Sequence, residues 1–239
     1  MKLKYDFHLH SCLSPCGDKD MTPYNLVNMA KLMGYDIIAL TDHNSCLNCP
    51  AAIKAGEQAG ITVVPGMELC TAEEIHTVCL FPDEKSANEW DEYVYSKLQK
   101  IKNNPNIFGN QYLMNETDKI LGEEEFLLIN AANISFEDVF APVYDLGGIA
   151  YPAHVDKNAN SLISNLGFVP PDSTFSIAEM HDINKFAELS ATHTYFKDCK
   201  ILSSSDAHYL PDVNEAKHYL ELEDASAKGI INHLRNITK

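Results

Sequence analysis

Nearly every strand-like segment of this 239-residue sequence ends or begins at a side chain that can bind a metal ion. The first such segment, residues 3–10, carries His8 and His10. Both point to the same face of a strand, because side chains alternate between the two faces. Later apolar segments are bounded by six further potential ligands: His43, Glu68, His76, His154, Asp206 and His208. The pattern predicts one metal site assembled from segments along the whole chain.

The order of the predicted elements favours a single α/β domain over residues 1–239. Strand-like runs alternate with amphipathic segments, for example a strand at 36–41 and a helix at 50–60. Such alternation predicts a parallel sheet with helices packed on it. In an open sheet, with strands about 4.8 Å apart, ligands from six strand ends lie too far apart to meet. We therefore expect a closed barrel, in which the strand ends surround one active site.

Residues 82–134 interrupt this alternation, and we interpret them as an insertion in the barrel domain. The sequence predicts a long helix at 85–103, followed by a polar stretch of loops and short helices. From Ser135, a residue suited to cap a helix, the alternation resumes up to a closing helix at 225–235. We expect the insertion to lie over or beside the barrel.

Six short motifs along the chain resemble those of the PHP (polymerase and histidinol phosphatase) family. They are Asp6-Phe7-His8-Leu9-His10-Ser11, Thr41-Asp42-His43, Gly66-Met67-Glu68, His76, Ala153-His154 and Ser205-Asp206-Ala207-His208. The resemblance implies a distorted seven-stranded (β/α)7 barrel with a site for three divalent metal ions. It also implies a metal-dependent phosphoesterase, or phosphatase. Such an enzyme would hydrolyse a small phosphorylated metabolite or nucleotide through a metal-activated hydroxide.

The resemblance further implies which residues hold each ion. One ion would bind His8, His10, Glu68 and Asp206. A second ion would bind Glu68, His76 and His154. A third ion would bind His43, His208 and a ligand from the loop after the first strand. For this loop ligand we choose Asp18, five residues before Pro23, with Asp20 as the alternative. Family members often carry a proline and then an arginine after the histidine equivalent to His154, whereas Val155, Asp156 and Lys157 follow it here, so we expect Lys157 to contact substrate phosphate. His181, at the end of a predicted strand, is a second candidate substrate contact.

The ligand types agree with hydrolysis of phosphate esters. Mixed imidazole and carboxylate ligands suit Mn²⁺, Zn²⁺ or Fe²⁺ better than ions that prefer all-oxygen ligands. Divalent ions lower the pKa of a bound water and neutralise phosphoryl oxygens. We expect Asp206 to accept or pass on a proton, and His208 or His154 to protonate the leaving group. Asp6 and Asp42 are expected to orient neighbouring imidazoles.

The formal net charge of −16, from 34 acidic and 18 basic residues, bears on the partners of the protein. Proteins that bind long nucleic acids usually present basic stripes, which displace counterions from the phosphates. No such stripe is visible, so we expect a small phosphorylated substrate and no long nucleic acid duplex. No apolar stretch approaches the roughly 18 residues of a membrane span, and no signal peptide precedes the first motif. These observations predict a cytoplasmic protein that does not bind a membrane.

Two pairs of cysteines lie near the predicted site. Cys12 with Cys16, and Cys46 with Cys49, are spaced closely enough to suggest a four-thiolate zinc or iron–sulfur site. Reduced thiols packed in the loops around the site are the simpler interpretation, and we favour it.

Two other functions stay open on the sequence. An amidohydrolase-type enzyme would cleave C–N bonds with similar ligands, although that superfamily usually adds a lysine ligand in mid-barrel. A non-catalytic metal-binding module is expected to have lost ligands, and none is visibly missing from this sequence.

Overall fold

The computed structural model describes residues 1–237 and shows an α/β fold around a curled sheet. The ten strands in this range are β1 (Lys2–Leu9), β2 (Ile37–Leu40), β3 (Thr62–Cys70), β4 (His76–Leu80), β5 (Tyr112–Met114), β6 (Ile120–Glu123), β7 (Ile149–Pro152), β8 (Ile177–Glu179), β9 (Lys200–Leu202) and β10 (Tyr219–Glu221). The eight α-helices are α1 (Pro23–Leu32), α2 (Cys49–Ala59), α3 (Glu84–Lys97), α4 (Pro105–Phe108), α5 (Phe140–Asp145), α6 (Leu162–Leu166), α7 (Phe186–Thr192) and α8 (Ala227–Ile237). Six strands form one sheet in the order β10-β1-β2-β3-β4-β7, and β5–β6 and β8–β9 form separate pairs. None of the helices within residues 1–237 is long and apolar enough to cross a membrane.

The main sheet is only partly parallel, whereas the sequence predicts a parallel sheet. β1, β2 and β3 are parallel neighbours, but β4 runs antiparallel to both β3 and β7. Residues 71–75 join β3 to β4, and so short a connection allows only a hairpin, because a parallel crossover needs roughly a dozen residues. β3 is long and continues from Thr62 to Cys70. Glu68 therefore lies within a strand rather than after one.

A few hydrogen bonds join the β8–β9 pair to the main sheet, and one of them runs from the N–H of Asp206, after β9, to the carbonyl of His8 in β1 (3.0 Å). The N–H of Val155, after β7, donates to the carbonyl of Glu179 at the end of β8 (2.9 Å). On the other side, the N–H of His10 donates to the carbonyl of Ala207, in the segment after β9 (3.1 Å). Within residues 1–237 these strands are not one continuous sheet, so a closed seven-stranded barrel stays a prediction.

The sequence explains the ends of α1 and α2, whereas Ser135 does not cap a helix as expected, because its hydroxyl donates to the carboxylate of Asp138 (2.6 Å). Thr22 caps α1 by accepting the N–H of Asn25 (3.1 Å), and Pro23 occupies the first helical position. Gly60 ends α2 in the left-handed conformation, with φ of 70°, which glycine adopts without steric cost. α3 is shorter than predicted and ends at Lys97. The sequence predicts neither α7 nor β10.

The predicted insertion, residues 82–134, contains α3, α4 and the β5–β6 hairpin. The sequence does not predict this hairpin, which packs on the loops after β1 and β2. The side chain of Asn48 donates to the carbonyl of Tyr112 (3.0 Å) and accepts the N–H of Met114 (2.9 Å). The N–H of Tyr112 donates to the carbonyl of Cys12 (3.0 Å). The insertion therefore lies beside the ends of the strands that carry the predicted ligands.

Apolar side chains of β1 anchor the strand that carries the first two histidines. Phe7 packs in one core cluster with Val64 and Leu202. Leu9 packs in a second cluster with Leu26 and other residues of α1. Because Phe7 and Leu9 are both fully buried in these clusters, β1 has little freedom to shift.

Candidate metal centre

His8 and His10 lie side by side at the end of β1, and both rings are fully buried. The Nδ1 atom of His8 lies 2.9 Å from the carboxylate of Glu179, so a neutral His8 ring carries its proton on Nδ1. The Nδ1 atom of His10 lies 3.0 Å from Oγ of Ser14, which itself donates to Asp42 (2.7 Å). Nδ1 of His10 must therefore be the donor. In both rings Nε2 keeps a lone pair for a metal ion, as is typical of metal-binding histidines.

Glu68 lies at the centre of a ring of imidazoles. Its Oε1 atom lies 3.1 Å from Nε2 of His8, 2.8 Å from Nδ1 of His76 and 3.1 Å from Nε2 of His154. Its Oε2 atom lies 3.3 Å from Nε2 of His10 and 3.0 Å from Nδ1 of His43. Each carboxylate oxygen therefore faces ring nitrogens of its own. This arrangement allows Glu68 to bridge two bound ions.

Asp206 and His154 join the site from unusual backbone conformations. His154 has φ of 29° and Asp206 has φ of 54°, a region that non-glycine residues rarely occupy and that recurs at functional sites. The Oδ1 atom of Asp206 lies 3.4 Å from Nε2 of His8 and 3.2 Å from Nε2 of His10. Its Oδ2 atom accepts a hydrogen bond from the ammonium of Lys157.

Donor atoms of these side chains form three overlapping groups, in each of which all donor atoms lie within 4.8 Å of one another. The groups are His8, His10, Glu68 and Asp206; His43, Glu68 and His76; and His10, His43 and His208. The first group is the set implied by the family resemblance. The second contains His43 where the resemblance implies His154, and the third contains His10 where it implies a loop carboxylate. These residues together with His154 are called the metal centre below.

Several donor atoms of the metal centre are buried and make no hydrogen bond. They are Nε2 of His8, His10 and His76, Nδ1 of His43 and His154, Oε2 of Glu68 and Oδ1 of Asp206. A buried polar atom without a partner costs free energy, and a bound divalent ion would remove that cost. The residues present therefore fit a metal ion, and their mixture of imidazole and carboxylate suits a transition metal.

Mutual charge shifts the pKa values of the metal centre. Burial alone would raise the pKa of Glu68, but the surrounding imidazoles hold it well below its usual range. Burial alone would lower the pKa of His8, but the carboxylates of Glu179 and Glu68 raise it well above its usual value. His208 differs, since burial and the neighbouring ring of His10 lower its pKa to about 3. His208 is therefore neutral near pH 7.

The other predicted site residues lie at different places around the metal centre. Lys157 is half-buried and pairs with Asp206. Asp18 accepts the N–H of Asp20 (2.8 Å), and neither carboxylate belongs to a ligand group found within residues 1–237. His181 is exposed and borders a separate cleft near Ser203. The metal-binding role of Asp18 and the substrate roles of Lys157 and His181 stay predictions.

Sequence reasoning misses two residues that support the histidine rings. Glu179 is buried and accepts the Nδ1 proton of His8; its position at the end of a predicted strand was the available signal. Ser14 links Asp42 to His10, so Asp42 orients that ring through a hydroxyl. Asp6 differs from the expectation, because it accepts the backbone N–H of His8 (3.1 Å) and not a ring proton.

The four cysteines noted in the sequence do not gather into a thiolate site. The sulfur atoms of Cys46 and Cys49 lie 3.2 and 3.5 Å from the carbonyl of Gly66 in the core. Burial raises the pKa of the Cys12 thiol to about 12, and Cys16 is half-buried. Within residues 1–237 no cysteine belongs to a ligand group. This arrangement agrees with reduced thiols packed around the site.

Comparison with known sequences finds one matching family. The PHP domain family matches residues 6–148. A 5'-3' exoribonuclease from Haemophilus influenzae is 36% identical over 83 residues, which are 34% of this chain and 29% of that protein. The match therefore spans less than a third of the length of this relative.

Two solved structures share the fold over nearly the whole chain. The lesion-specific endonuclease Q from Pyrococcus furiosus has a TM-score of 0.67 and 19% identity, covering 99% of this chain and 56% of that one. A protein from Bifidobacterium adolescentis, described as a metal-dependent phosphoesterase, has a TM-score of 0.61 and 16% identity, covering 95% of both chains. At these identities the likeness shows the fold alone.

These comparisons contradict the prediction that a long nucleic acid duplex is excluded as a partner. Endonuclease Q has also been solved with a 27-mer duplex substrate that carries an abasic lesion, and that structure has a TM-score of 0.65 to this chain. The H. influenzae relative is named an exoribonuclease. The prediction was wrong because net charge sums the whole surface, whereas binding depends on local charge.

Proposed function

This chain belongs to the PHP domain family, and we propose that it is a metal-dependent phosphoesterase that cleaves phosphodiester bonds in a nucleic acid strand. The observation that carries the proposal is the set of buried donor atoms without hydrogen bonds around Glu68. The substrate class rests on the exoribonuclease relative and on the shared fold of endonuclease Q.

We infer that three divalent ions bind the metal centre, with Mn²⁺, Zn²⁺ or Fe²⁺ as the ions that suit its ligands. His8, His10, Glu68 and Asp206 would hold one ion, Glu68, His76 and His154 the second, and His43 and His208 the third. When bound, such ions supply positive charge to phosphoryl oxygens and lower the pKa of water, the chemistry that phosphodiester hydrolysis needs.

Lys157 and Asp206 provide the remaining steps. Burial alone would lower the pKa of Lys157, but the Asp206 carboxylate raises it, so the ammonium stays charged and binds a phosphate oxygen. Once Lys157 turns to the phosphate, Oδ2 of Asp206 is free to accept a proton. Because His208 and His154 would each hold an ion, the proton accepted by Asp206 passes from Asp206 to the leaving oxygen.

A cleft beside His208 provides room for part of a nucleic acid strand. Its volume is about 480 Å³, and its lining includes Lys19, Phe108 and Tyr209. The two aromatic side chains are 42% and 51% exposed, although large apolar rings are usually buried. Exposed aromatic rings stack on bases with little sequence preference, and a lysine attracts the backbone phosphates. We propose that one or more bases lie in this cleft while the scissile phosphate faces the metal centre.

Cleavage of labelled oligonucleotides tests this function. Protein loaded with Mn²⁺ or Zn²⁺ is incubated with single-stranded RNA, single-stranded DNA, intact duplex DNA and duplex DNA with an abasic site. We expect metal-dependent cleavage of at least one substrate, with products resolved by length and end group. Chelator and the variant His10→Ala should both abolish cleavage, because each removes a metal ion or a ligand.

The control variant is His233→Ala, in helix α8 outside the metal centre, and it should cleave at the wild-type rate. Small phosphate monoesters are tested in parallel. Absence of nucleic acid cleavage in protein shown to carry its metals would overturn the proposal. Cleavage that persists in metal-loaded His10→Ala would show that the metal centre does not catalyse it.

A further inference from the structure

The ligand group of His10, His43 and His208 differs from the other two groups because it contains no carboxylate. A divalent ion bound only by neutral imidazoles keeps its full charge in a partly buried site, which is unfavourable. We propose that Cys16, and not a carboxylate of the same loop, completes the third ion site with His43 and His208. This inference rests on the proposed metal-dependent function.

A tight turn at residues 14–17 presents Cys16 to the metal centre. The N–H of Gly17 donates to the carbonyl of Ser14 (2.8 Å), which closes the turn. Pro15 occupies the second position, where its fixed φ favours turn formation. A Cβ atom on Gly17 would come within 2.4 Å of the carbonyl oxygen of Ser11, so only glycine fits there. The turn therefore has one tightly constrained conformation.

Hydrogen bonds tie both ends of this turn to the three histidines. Oγ of Ser14 contacts Nδ1 of His10 (3.0 Å) and accepts the N–H of His43 (3.1 Å). The N–H of Asp18 donates to the carbonyl of His208 (2.9 Å). Because each histidine of the group is bonded to the turn, the position of Cys16 relative to the group is determined by the fold.

The side chain of Cys16 lies next to one histidine of the group, whereas that of Asp18 is engaged elsewhere. The thiol of Cys16 is a neighbour of the His43 imidazole, although in its present rotamer it belongs to none of the ligand groups within residues 1–237. Nε2 of His10, fully buried and without a hydrogen bond, belongs to the same group. The carboxylate of Asp18 instead accepts the N–H of Asp20 (2.8 Å). Rotation of the Cys16 side chain from His43 towards the group's centre would bring its sulfur to an ion.

A cysteine at this position changes which metal the third site prefers. Cysteine binds as the thiolate, so its proton leaves when the ion binds and the thiolate supplies the missing negative charge. Cysteine with imidazoles is a ligand set typical of Zn²⁺, and thiolate disfavours Mn²⁺ and Mg²⁺ relative to softer ions. We therefore expect the third site to select Zn²⁺ or Fe²⁺.

Cobalt substitution tests the assignment without relying on activity. Metal-free protein is titrated with Co²⁺, and the near-ultraviolet charge-transfer absorption of a cobalt–thiolate bond is recorded. We expect the band in wild type and in Cys12→Ser, a control in the same loop, and its loss in Cys16→Ser. In the second measurement, Zn²⁺ should protect Cys16 from alkylation but leave the half-buried Cys199 unprotected, as read by peptide mass spectrometry. Circular dichroism confirms that each variant is folded.

The outcomes separate this inference from the proposed function. Bound Co²⁺ without a thiolate band, or a band that persists in Cys16→Ser, would overturn the role of Cys16. The role of Cys16 would also be overturned if Asp18→Asn binds one metal ion fewer than wild type while Cys16→Ser binds as many as wild type. A thiolate band in protein that cleaves no nucleic acid would support the ligand and count against the proposed function alone.

Discussion

At the scale of single residues, Glu68 has a unique position because both of its oxygens face imidazole nitrogens. We predict that Glu68→Gln loses more bound metal than His208→Ala, since the glutamate lies in two ligand groups and His208 in one. Metal content after desalting, measured by mass spectrometry of the elements, provides the comparison. Glu92→Gln, on the exposed face of α3, should retain the wild-type content. Equal losses of bound metal in Glu68→Gln and His208→Ala would show that Glu68 does not bridge two ions.

Glu179 acts on the metal centre through His8 rather than by direct contact with an ion. It accepts the Nδ1 proton of His8 (2.9 Å) and the backbone N–H of His154 (3.2 Å). Because such outer hydrogen bonds orient metal-binding rings, Glu179→Ala should weaken metal affinity roughly 10–100-fold. Glu179→Gln keeps an acceptor and should lose less. Competition with a fluorescent chelator measures the affinity, and exposed Glu188→Ala is the control; unchanged affinity in Glu179→Ala would contradict the prediction.

At the scale of elements, the long strand β3 and the β5–β6 hairpin shape the surroundings of the metal centre. β3 carries Glu68 along its length, and the antiparallel β4 brings His76 back beside it. The hairpin is attached to the loops after β1 and β2 largely through Asn48. The strands thus position ligands, while the hairpin builds one wall of the entrance.

Asn48→Ala should detach this wall from the rest of the domain. The buried side chain bonds to Ser11, Tyr112 and Met114, so its loss leaves backbone groups unpaired and should lower the free energy of unfolding by about 1–3 kcal/mol. Urea denaturation measures this change. Asn28→Ala, on the exposed face of α1, should change it by less than about 0.5 kcal/mol. Equal effects of the two substitutions would show that the hairpin does not depend on Asn48.

At the scale of the whole molecule, metal binding and pH should act together on stability. Carboxylates raise the pKa of His8 and His10 above 6.5 despite the opposing effect of burial. In the metal-free protein this raised pKa contributes stability that is fully present below pH 6.5 and is lost as pH rises through the folded-state pKa. Metal binding must displace these protons and therefore strengthens as pH rises.

We therefore predict that divalent metal raises Tm more at pH 8 than at pH 6. Thermal unfolding of metal-loaded and chelator-treated protein at the two pH values measures the difference. His8→Gln and His10→Gln should each reduce the pH dependence, because each removes one of the protonated rings. A metal-induced rise in Tm that is equal or smaller at pH 8 would contradict the protonation of these rings.

The sequence by itself determined the type of ligand and where along the chain each ligand lies. The pair His8 and His10 was predicted from strand periodicity, and the family resemblance implied that Glu68 and Asp206 join it; the structure brings the four together. Helix caps such as Thr22 were also predictable, because a cap depends only on its neighbours in the chain. These properties depend on residues that are close together in the chain, so short stretches of sequence are enough to predict them.

Only the tertiary structure decided which ligands meet, and what supports them. Ser14 supports the ring of His10, four residues away along the chain. Glu179 supports the ring of His8, 171 residues away, and nothing in the sequence around either residue indicates that the two meet. The antiparallel course of β4 and the β5–β6 hairpin likewise depend on packing between distant segments. The exclusion of a nucleic acid duplex from net charge failed for the same reason. Net charge sums over the chain, whereas binding depends on the few charges that folding brings to one place.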